Sequence, residues 1–480
     1  MAESLGHKTV KSSVWSILDV LMRQGIGFVI SVVLARLLTP SDYGTIGLIM
    51  IFISIANVFV DSGFGAALIR KVDRTNEDLN TAFFFNVFVG IIVYLILFVS
   101  APYIASFFNN YELTDILRVL GLILIINSFN IVQNAIMIYS MRIKRLALLS
   151  AISQISTGLI AIYFAYQGLG VWTLVIQQLG AALLNAILLI VSTKWNPKFV
   201  LSRKSFDYLW GFGSRLLTAT LIGTIFNQGY SFVIGKMLGK RDLGLFTRSE
   251  HFTQQPVNIV TNIINKSLVP SLAHCQDDLH RMQLNYKKIV EIISVIIFPL
   301  MFLLSTLSEP LFITLFGYKW IAAIPIFRIL CIGYAFDIFS TLGLQLMQVM
   351  GRTDYTLKLE FIKKPIYALI IVISLFYGLK GLVIGKAIYC LVAAMINSSV
   401  IKSLLKYDYW RQMWDIVKYA FISIIILIPV YFVIHYIWNN NIFQILSVSV
   451  IFILLYILVL KLLKMPALAL VCDVIRSFKK

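Results

Sequence analysis

Charge is the first thing this chain lacks. Only 13% of its 480 residues are Asp, Glu, Lys or Arg, and the acidic ones number 22 against 41 basic. Histidine occurs 5 times and cysteine 4 times. Cys275, Cys331, Cys390 and Cys472 stand far apart without metal-type spacing, which excludes a cysteine metal site and leaves free thiols as the expectation. The histidines do not cluster as ligands, so no metal is assigned. No Gly-Lys-Ser/Thr phosphate loop occurs, which excludes ATP hydrolysis by that route. No loop is long enough to carry a catalytic domain, and no catalytic residue or cofactor is assigned.

What is present is apolar. The chain is 59% hydrophobic with a mean hydropathy of +0.87. Apolar stretches of about 20 residues, the length that crosses a bilayer as a helix, recur from end to end. Only helices satisfy their own backbone hydrogen bonds in lipid, so the expected fold is an all-α polytopic membrane protein. In a soluble protein the net charge of +19 would suggest nucleic acid. Here it is the positive-inside signature of many cytoplasmic loops, and no nucleic-acid partner is expected.

Window length predicts about 14 spans. They lie near 14–38, 43–69, 81–105, 117–140, 147–166, 170–192 and 208–236. The remainder lie near 244–272, 286–307, 322–349, 358–377, 381–402, 415–437 and 443–463. Alternate loops hold the basic residues, as in Arg70, Lys71 and Arg74, or Arg142, Lys144 and Arg145. The intervening loops Phe107–Asp115, Tyr166–Gly170 and Asn439–Phe443 have none, and Lys236–Arg241 is the exception. This alternation predicts both termini in the cytoplasm. Met1–Ser13 leads into a first helix too long for a signal peptide, so no cleavable leader is expected.

The segment Val33–Gly44, VLARLLTPSDYG, recurs two hundred positions later as Val233–Gly244, VIGKMLGKRDLG. Arg36 pairs with Lys236, Asp42 with Asp242 and Gly44 with Gly244, and the apolar positions between them match in kind. The turns at Gly168–Gly170 and Gly378–Gly381 repeat at a similar offset. The chain therefore divides into an N-lobe of six helices (1–193), a linker (194–207), a C-lobe of six helices (208–405) and a C-terminal helix pair with a basic tail (406–480). The two pseudo-symmetric lobes are parallel repeats, which in helical membrane proteins points to a transporter with its site between them.

Polar residues inside spans mark that site, because they are costly in lipid. Arg248, His251, Gln255, Asn258, Asn262 and Lys266 follow at intervals of 3, 4, 3, 4 and 4, one continuous helical stripe. Pro256 should bend that helix. Shorter stripes are Ser16, Asp19 and Arg23; Ser54, Asn57 and Asp61; and Thr220, Thr224, Asn227 and Ser231, with Arg215 nearby. Each has a plainer reading. Ser, Thr and Asn glue helices together, Asp19 and Arg23 pair one turn apart, and Arg215 and Arg248 snorkel to a membrane surface. Arg328, Asp337 and Lys386 are weaker candidates, the first two as structural partners. Taken as cavity residues, Arg23, Arg215, Arg248 and Lys266 outweigh Asp19, Asp61 and Glu250, which favours an anionic ligand and suits phosphate. Asp19, Asp61 and Glu250 are the candidates for coupling to a proton or sodium ion.

The chain resembles bacterial polysaccharide flippases of the multidrug/oligosaccharidyl-lipid/polysaccharide exporter superfamily, in the branch serving O-antigen, capsular or colanic-acid-type exopolysaccharide, lipopolysaccharide included. The resemblance rests on Leu34–Gly44 after the first helix, on Asp61–Ile69 closing the second, and on Ile234–Gly239 with Leu243–Phe246 opening the second lobe. Gln255-Pro256 and Phe316–Trp320 add to it. It implies a V-shaped, alternating-access fold that moves a lipid-linked oligosaccharide, borne on undecaprenyl pyrophosphate, from the cytoplasmic to the periplasmic leaflet of the inner membrane. Polysaccharide polymerase and chain-length machinery are the implied partners. A peptidoglycan-precursor flippase and an ion-coupled multidrug extruder of the same fold are the alternatives. A membrane glycan polymerase or ligase fits less well, because the predicted outer loops are short.

Overall fold

The computed structural model describes residues 25, 27–263, 272, 275, 278–437 and 440–465. Among these residues there is no strand. The helices are α1 (Gly27–Leu37), α2 (Pro40–Asp61), α3 (Phe64–Arg70), α4 (Asn76–Phe107), α5 (Glu112–Leu120), α6 (Ile123–Tyr139), α7 (Ile143–Tyr166), α8 (Val171–Thr193), α9 (Arg203–Asn227), α10 (Gly229–Met237) and α11 (Lys240–Ile263). They continue as α12 (Leu279–Thr306), α13 (Ser308–Phe316), α14 (Ile324–Val349), α15 (Thr353–Leu375), α16 (Gly378–Leu405), α17 (Tyr409–Ile437) and α18 (Asn441–Leu462). Eleven described helices or helix pairs are long and apolar enough to cross a membrane, so the chain is a multi-pass membrane protein. The three further spans expected from the sequence coincide with α1, α11 and α15. The described part of α1 is short, and α11 and α15 are interrupted by charge.

Several expected helices are broken or displaced. The second ends at Asp61, where Ser62 (φ 50°) and Gly63 (φ 71°) turn the chain before α3. The seventh begins at Arg203, inside the expected linker, and is interrupted at Gln228 between α9 and α10. α11 continues through Pro256 without ending.

The described residues form two compact units, 25–244 and 245–465, with the boundary inside α11. In the first unit α2 packs against α4, α6, α8, α9 and α10, while α7 pairs with α8. Its helix starts are written in sequence. Thr39 and Asp42 close a capping box on α2, and Thr75 and Asp78 do the same on α4. Lys71 Nζ holds the buried Asp78 at 2.7 Å.

The two copies of the repeated segment meet within this first unit. A Cβ on Gly44 would overlap the Lys240 carbonyl, and one on Gly244 would overlap the Pro40 carbonyl. Residues 40 and 44 thus face 240 and 244 reciprocally, as a pseudo-twofold relation requires. A second close approach joins the break after α2 to α9. A Cβ on Gly63 would lie 2.7 Å from the Gly213 carbonyl oxygen, and one on Gly213 would lie 2.5 Å from that of Ser62. Side chains are absent at both points because backbones occupy the space.

In the second unit α14 packs on α16 and α12, and α15 packs on α16. The C-terminal pair is joined to this unit. α17 lies on α12, and α18 lies on α17 and α13. Lys418 Nζ reaches Glu291 Oε1 at 2.9 Å and Asp415 Oδ1 at 2.7 Å, and Tyr456 OH donates to the Val295 carbonyl at 3.4 Å. Between α16 and α17 the buried Tyr407 donates to Asp415 Oδ2 at 2.5 Å. Burial, reinforced by that hydrogen bond, pushes the Tyr407 phenol well up.

Candidate functional site

In the first unit the polar residues of α2 are largely engaged. Gln228 Nε2 donates to Ser54 Oγ at 3.3 Å, and Asn127 Nδ2 donates to Asn57 Oδ1 at 3.0 Å. These are interhelical bonds that join α2 to the break before α10 and to α6, the glue reading of such residues. Asp61 is exposed at the end of α2. Arg215 and Asn227 are exposed on α9.

In the second unit α11 presents two faces. Ser249, Phe252, Thr253, Val257 and Val260 are buried. His251, Asn258 and Asn262 are exposed on the other side, with Gln255 half-buried beside them. His251 Nε2 and Gln255 Nε2 lie 3.2 Å apart. Arg248 begins the stripe but is buried, its guanidinium 4.4 Å from the centroid of the Phe252 ring.

Between these faces lies a charged cluster. Lys386 of α16 bonds the Glu250 carboxylate directly. Tyr334 OH of α14 donates to Glu250 Oε1 at 2.7 Å, and Gln254 Nε2 donates to Tyr334 OH at 2.9 Å. Glu250 is thus held by α14 and α16 together. The partly buried carboxylate is compensated by a cation and a hydroxyl, as a charge in this environment must be. Asp337 lies about one turn from Tyr334 on α14, and Lys363 and Lys364 of α15 pair with Glu360 at 2.7 and 3.2 Å.

Residues 33–325 match the family described as polysaccharide biosynthesis protein. The chain belongs to that family. Its relatives include the succinoglycan biosynthesis transport protein ExoT of Rhizobium meliloti (strain 1021), 26% identical over 69% of this chain and 67% of that protein. The lipopolysaccharide biosynthesis protein WzxC of Escherichia coli (strain K12) is 23% identical over 82% of this chain and 80% of that one. Among solved structures, the lipid II flippase MurJ in an inward closed conformation matches with a TM-score of 0.73 at 14% identity, covering 93% of this chain and 98% of that one. An inward-facing multidrug resistance MATE family transporter of the MOP superfamily matches with a TM-score of 0.63 at 18% identity, covering 80% and 96%. At these identities the structures establish the shared fold.

Within this polysaccharide biosynthesis protein, Arg248, His251, Gln255, Asn258 and Asn262 all lie on α11, with His251, Asn258 and Asn262 exposed, Gln255 half-buried and Arg248 buried. Asp19, Arg23 and Lys266 lie outside the described residues. Glu250 is an ion-pair member. Tyr334 and Gln254 are the residues that sequence reasoning missed, and Lys386 has a larger part than its spacing indicated. The signal for Lys386 was available, since a carboxylate within a helix bundle calls for a cation. Nothing in the sequence links Tyr334 to Glu250, 84 positions earlier. Arg328 does not pair with Asp337 but donates from Nε to Ser308 Oγ at 3.2 Å, within its own end of the unit.

Proposed function

We propose that this protein is a flippase that moves a lipid-linked oligosaccharide repeat unit, borne on an undecaprenyl-pyrophosphate carrier, from the cytoplasmic to the periplasmic leaflet for cell-surface polysaccharide assembly. The observation that carries this reading is the exposed amide and imidazole stripe of α11, His251 to Asn262, in a family whose relatives include named transport proteins. A hydrocarbon-facing helix would not carry such a stripe, whereas a glycan offers hydroxyls for each of these groups. Arg23, Arg215 and Lys266 supply positive charge for the pyrophosphate, while the polyprenyl tail stays in the bilayer. The protein is a transporter rather than an enzyme on this reading. It sits in the bacterial inner membrane with both termini cytoplasmic and hands its cargo to polymerase and chain-length machinery.

The moving bodies are the lobes 1–193 and 208–405, alternating between inward- and outward-open states. Turnover needs a ligand or ion with different affinity for the two states. A proton or sodium ion that competes with Lys386 for Glu250 supplies it, with Asp19 and Asp61 as the other coupling candidates.

The test uses inverted inner-membrane vesicles carrying the host's lipid-linked repeat unit and a glycan-modifying enzyme confined to the lumen. Protein-dependent modification is expected, falling about tenfold when Gln255, Asn258 and Asn262 are all changed to Ala, a loss of roughly 1.4 kcal/mol in transition-state binding. An imposed ion gradient should accelerate wild type and leave a Glu250→Gln, Asp61→Asn variant unmoved. Modification that does not depend on the protein would reject the function, and a normal gradient response in the double variant would reject these coupling residues.

A further inference from the structure

The loop Lys236–Arg241 breaks the alternation of basic and non-basic loops, and no part of the proposed transport path uses it. In the structure two of its cations meet the connection between α4 and α5. Lys236 Nζ donates to the Phe107 carbonyl and lies 4.0 Å from the centroid of the Phe107 ring. Lys240 Nζ lies 3.4 Å from Glu112 Oε2. Phe232 of α10 stacks on Phe107 with ring centroids 6.0 Å apart, and meets Phe108 edge-on at 5.7 Å. α4 runs from the basic loop 70–74 to Phe107, so these contacts close the other end of the first unit.

The connection is built to present its side of them. The Asn110 backbone N–H donates to the Ala105 carbonyl at 2.9 Å, and that of Asn109 donates to the Ser106 carbonyl at 3.1 Å, the bonding of a Schellman motif. Asn109 takes the left-handed φ of 51° that this motif requires, which asparagine tolerates. Leu113, Ile116 and Leu117 of α5 are buried, and α5 packs on α4, α8 and α2. Phe107, Phe108 and Glu112 thus form a fixed face on the first repeat, while Phe232, Lys236 and Lys240 come from the second.

α9 and α10 are held at their two ends by different chemistry. The buried residues of α9, Ser205, Leu209 and Gly213, all lie in its first half, where Leu209 joins the core of Phe64, Leu68 and Ala82. Apolar burial and the Gly63–Gly213 backbone contact fasten that end. At the far end Tyr230 and Ile234 of α10 are also buried, but the charged contacts are open to water, with Lys240 41% and Glu112 46% exposed. An ion pair at such exposure exchanges its partner for water at small cost, whereas a buried pair does not. Contacts of this kind suit a closure that parts and re-forms in every cycle.

We propose that the Phe107–Glu112 connection is a latch on α10 and the start of α11, with Lys236 and Lys240 as its releasable catches. The latch rests on the alternating-access reading, since its two sides belong to the lobes 1–193 and 208–405. It explains why cations stand in a loop where the positive-inside pattern calls for none, because they answer a carbonyl, an aromatic ring and a carboxylate. Opening parts both lysines from the connection while the Leu209 end stays packed.

The test places spin labels at Tyr111→Cys and Arg241→Cys, both exposed positions, in the full chain with its four native cysteines changed to Ala. Label separations are read by pulsed electron resonance in nanodiscs without substrate. With the catches intact, a short separation should dominate over a longer one. Lys236→Gln with Lys240→Gln should raise the long-to-short ratio roughly fivefold, as one cation–π contact and one exposed ion pair together predict. Glu112→Gln should raise it roughly twofold, and keeps the test if the double variant does not fold. The swap of Glu112→Lys with Lys240→Glu should return the ratio toward that of the intact latch. An unchanged ratio in the lysine double variant or in Glu112→Gln, or a swap that restores nothing, would overturn the latch. Failure of the transport reading shows separately, as glycan modification that does not depend on the protein in the vesicle assay, and leaves the label separations as they are.

Discussion

Single residues set the close approaches in this protein. Gly44 and Gly244 are small because each faces the other repeat's backbone carbonyl, and the same logic holds for Gly63 against Gly213. By contrast, a Cβ on Gly223 of α9 would meet nothing within 4 Å. Gly44→Ala should therefore destabilise the protein by at least roughly 1–3 kcal/mol, the usual cost of overpacking, because a backbone carbonyl cannot swing aside as a side chain can. Gly223→Ala should be neutral or stabilising by up to about 1 kcal/mol, since Ala is the better helix former. Thermal melts of the two variants in the same detergent compare them directly, and equal melting points would refute the contact. The paired acids show how one letter changes a local role. Asp42 closes a capping box with Thr39, but Asp242 has Gly239 at the corresponding position and no hydroxyl to reciprocate.

At the scale of elements, α11 is where pattern and packing diverge. Its polar stripe was legible because a 3.6-residue period orders residues on one helix without knowledge of its neighbours. The Glu250 cluster was not, because it joins α11, α14 and α16 through residues 84 and 136 positions from Glu250. Removing only Lys386 would leave the half-buried Glu250 without its cation. Lys386→Met is expected to cost roughly 3–5 kcal/mol at most, and less to the extent that the pair is reached by water. The double variant Glu250→Gln, Lys386→Met should recover a good part of that loss. A double-mutant cycle from reversible unfolding in mixed micelles measures it, and strictly additive effects would mean that the pair is not energetically coupled. The breaks at Ser62–Gly63 and Gln228 were also hidden. Continuous apolar composition reads as one span, whereas the turn at Gly63 is set by contact with Gly213 of another helix.

At the scale of the whole molecule, the C-terminal pair is a part of the second unit. Lys418 sits between Glu291 of α12 and Asp415 of α17, and Phe452 and Tyr456 of α18 are buried. A chain ending at Leu405 would uncover α12 and leave Glu291 without its Lys418 partner. Such a truncation should fold in lower yield and melt at a lower temperature than the full chain, by several kcal/mol of lost burial at about 25 cal/mol per Å² where the removed contacts exclude lipid or water. Size-exclusion profiles and melting curves check this. An unchanged melting temperature would mean that the pair is only appended.

The sequence by itself determined the fold class, the membrane setting and the repeat, because bilayer thickness and backbone hydrogen bonding leave a long apolar run few choices. It also determined the helical spacing of the α11 polar residues and the family's shared motifs, both of which are local in the chain. Only the tertiary structure decided which polar residues are engaged and which are presented. Ser54 and Asn57 proved to join helices, Arg248 proved to be buried, and Glu250 proved to be held by Tyr334 and Lys386. The reason is physical. Periodicity fixes the direction of a side chain around its own axis, but the partner that neutralises its charge or hydrogen-bonds its oxygen stands on another helix, brought there by packing.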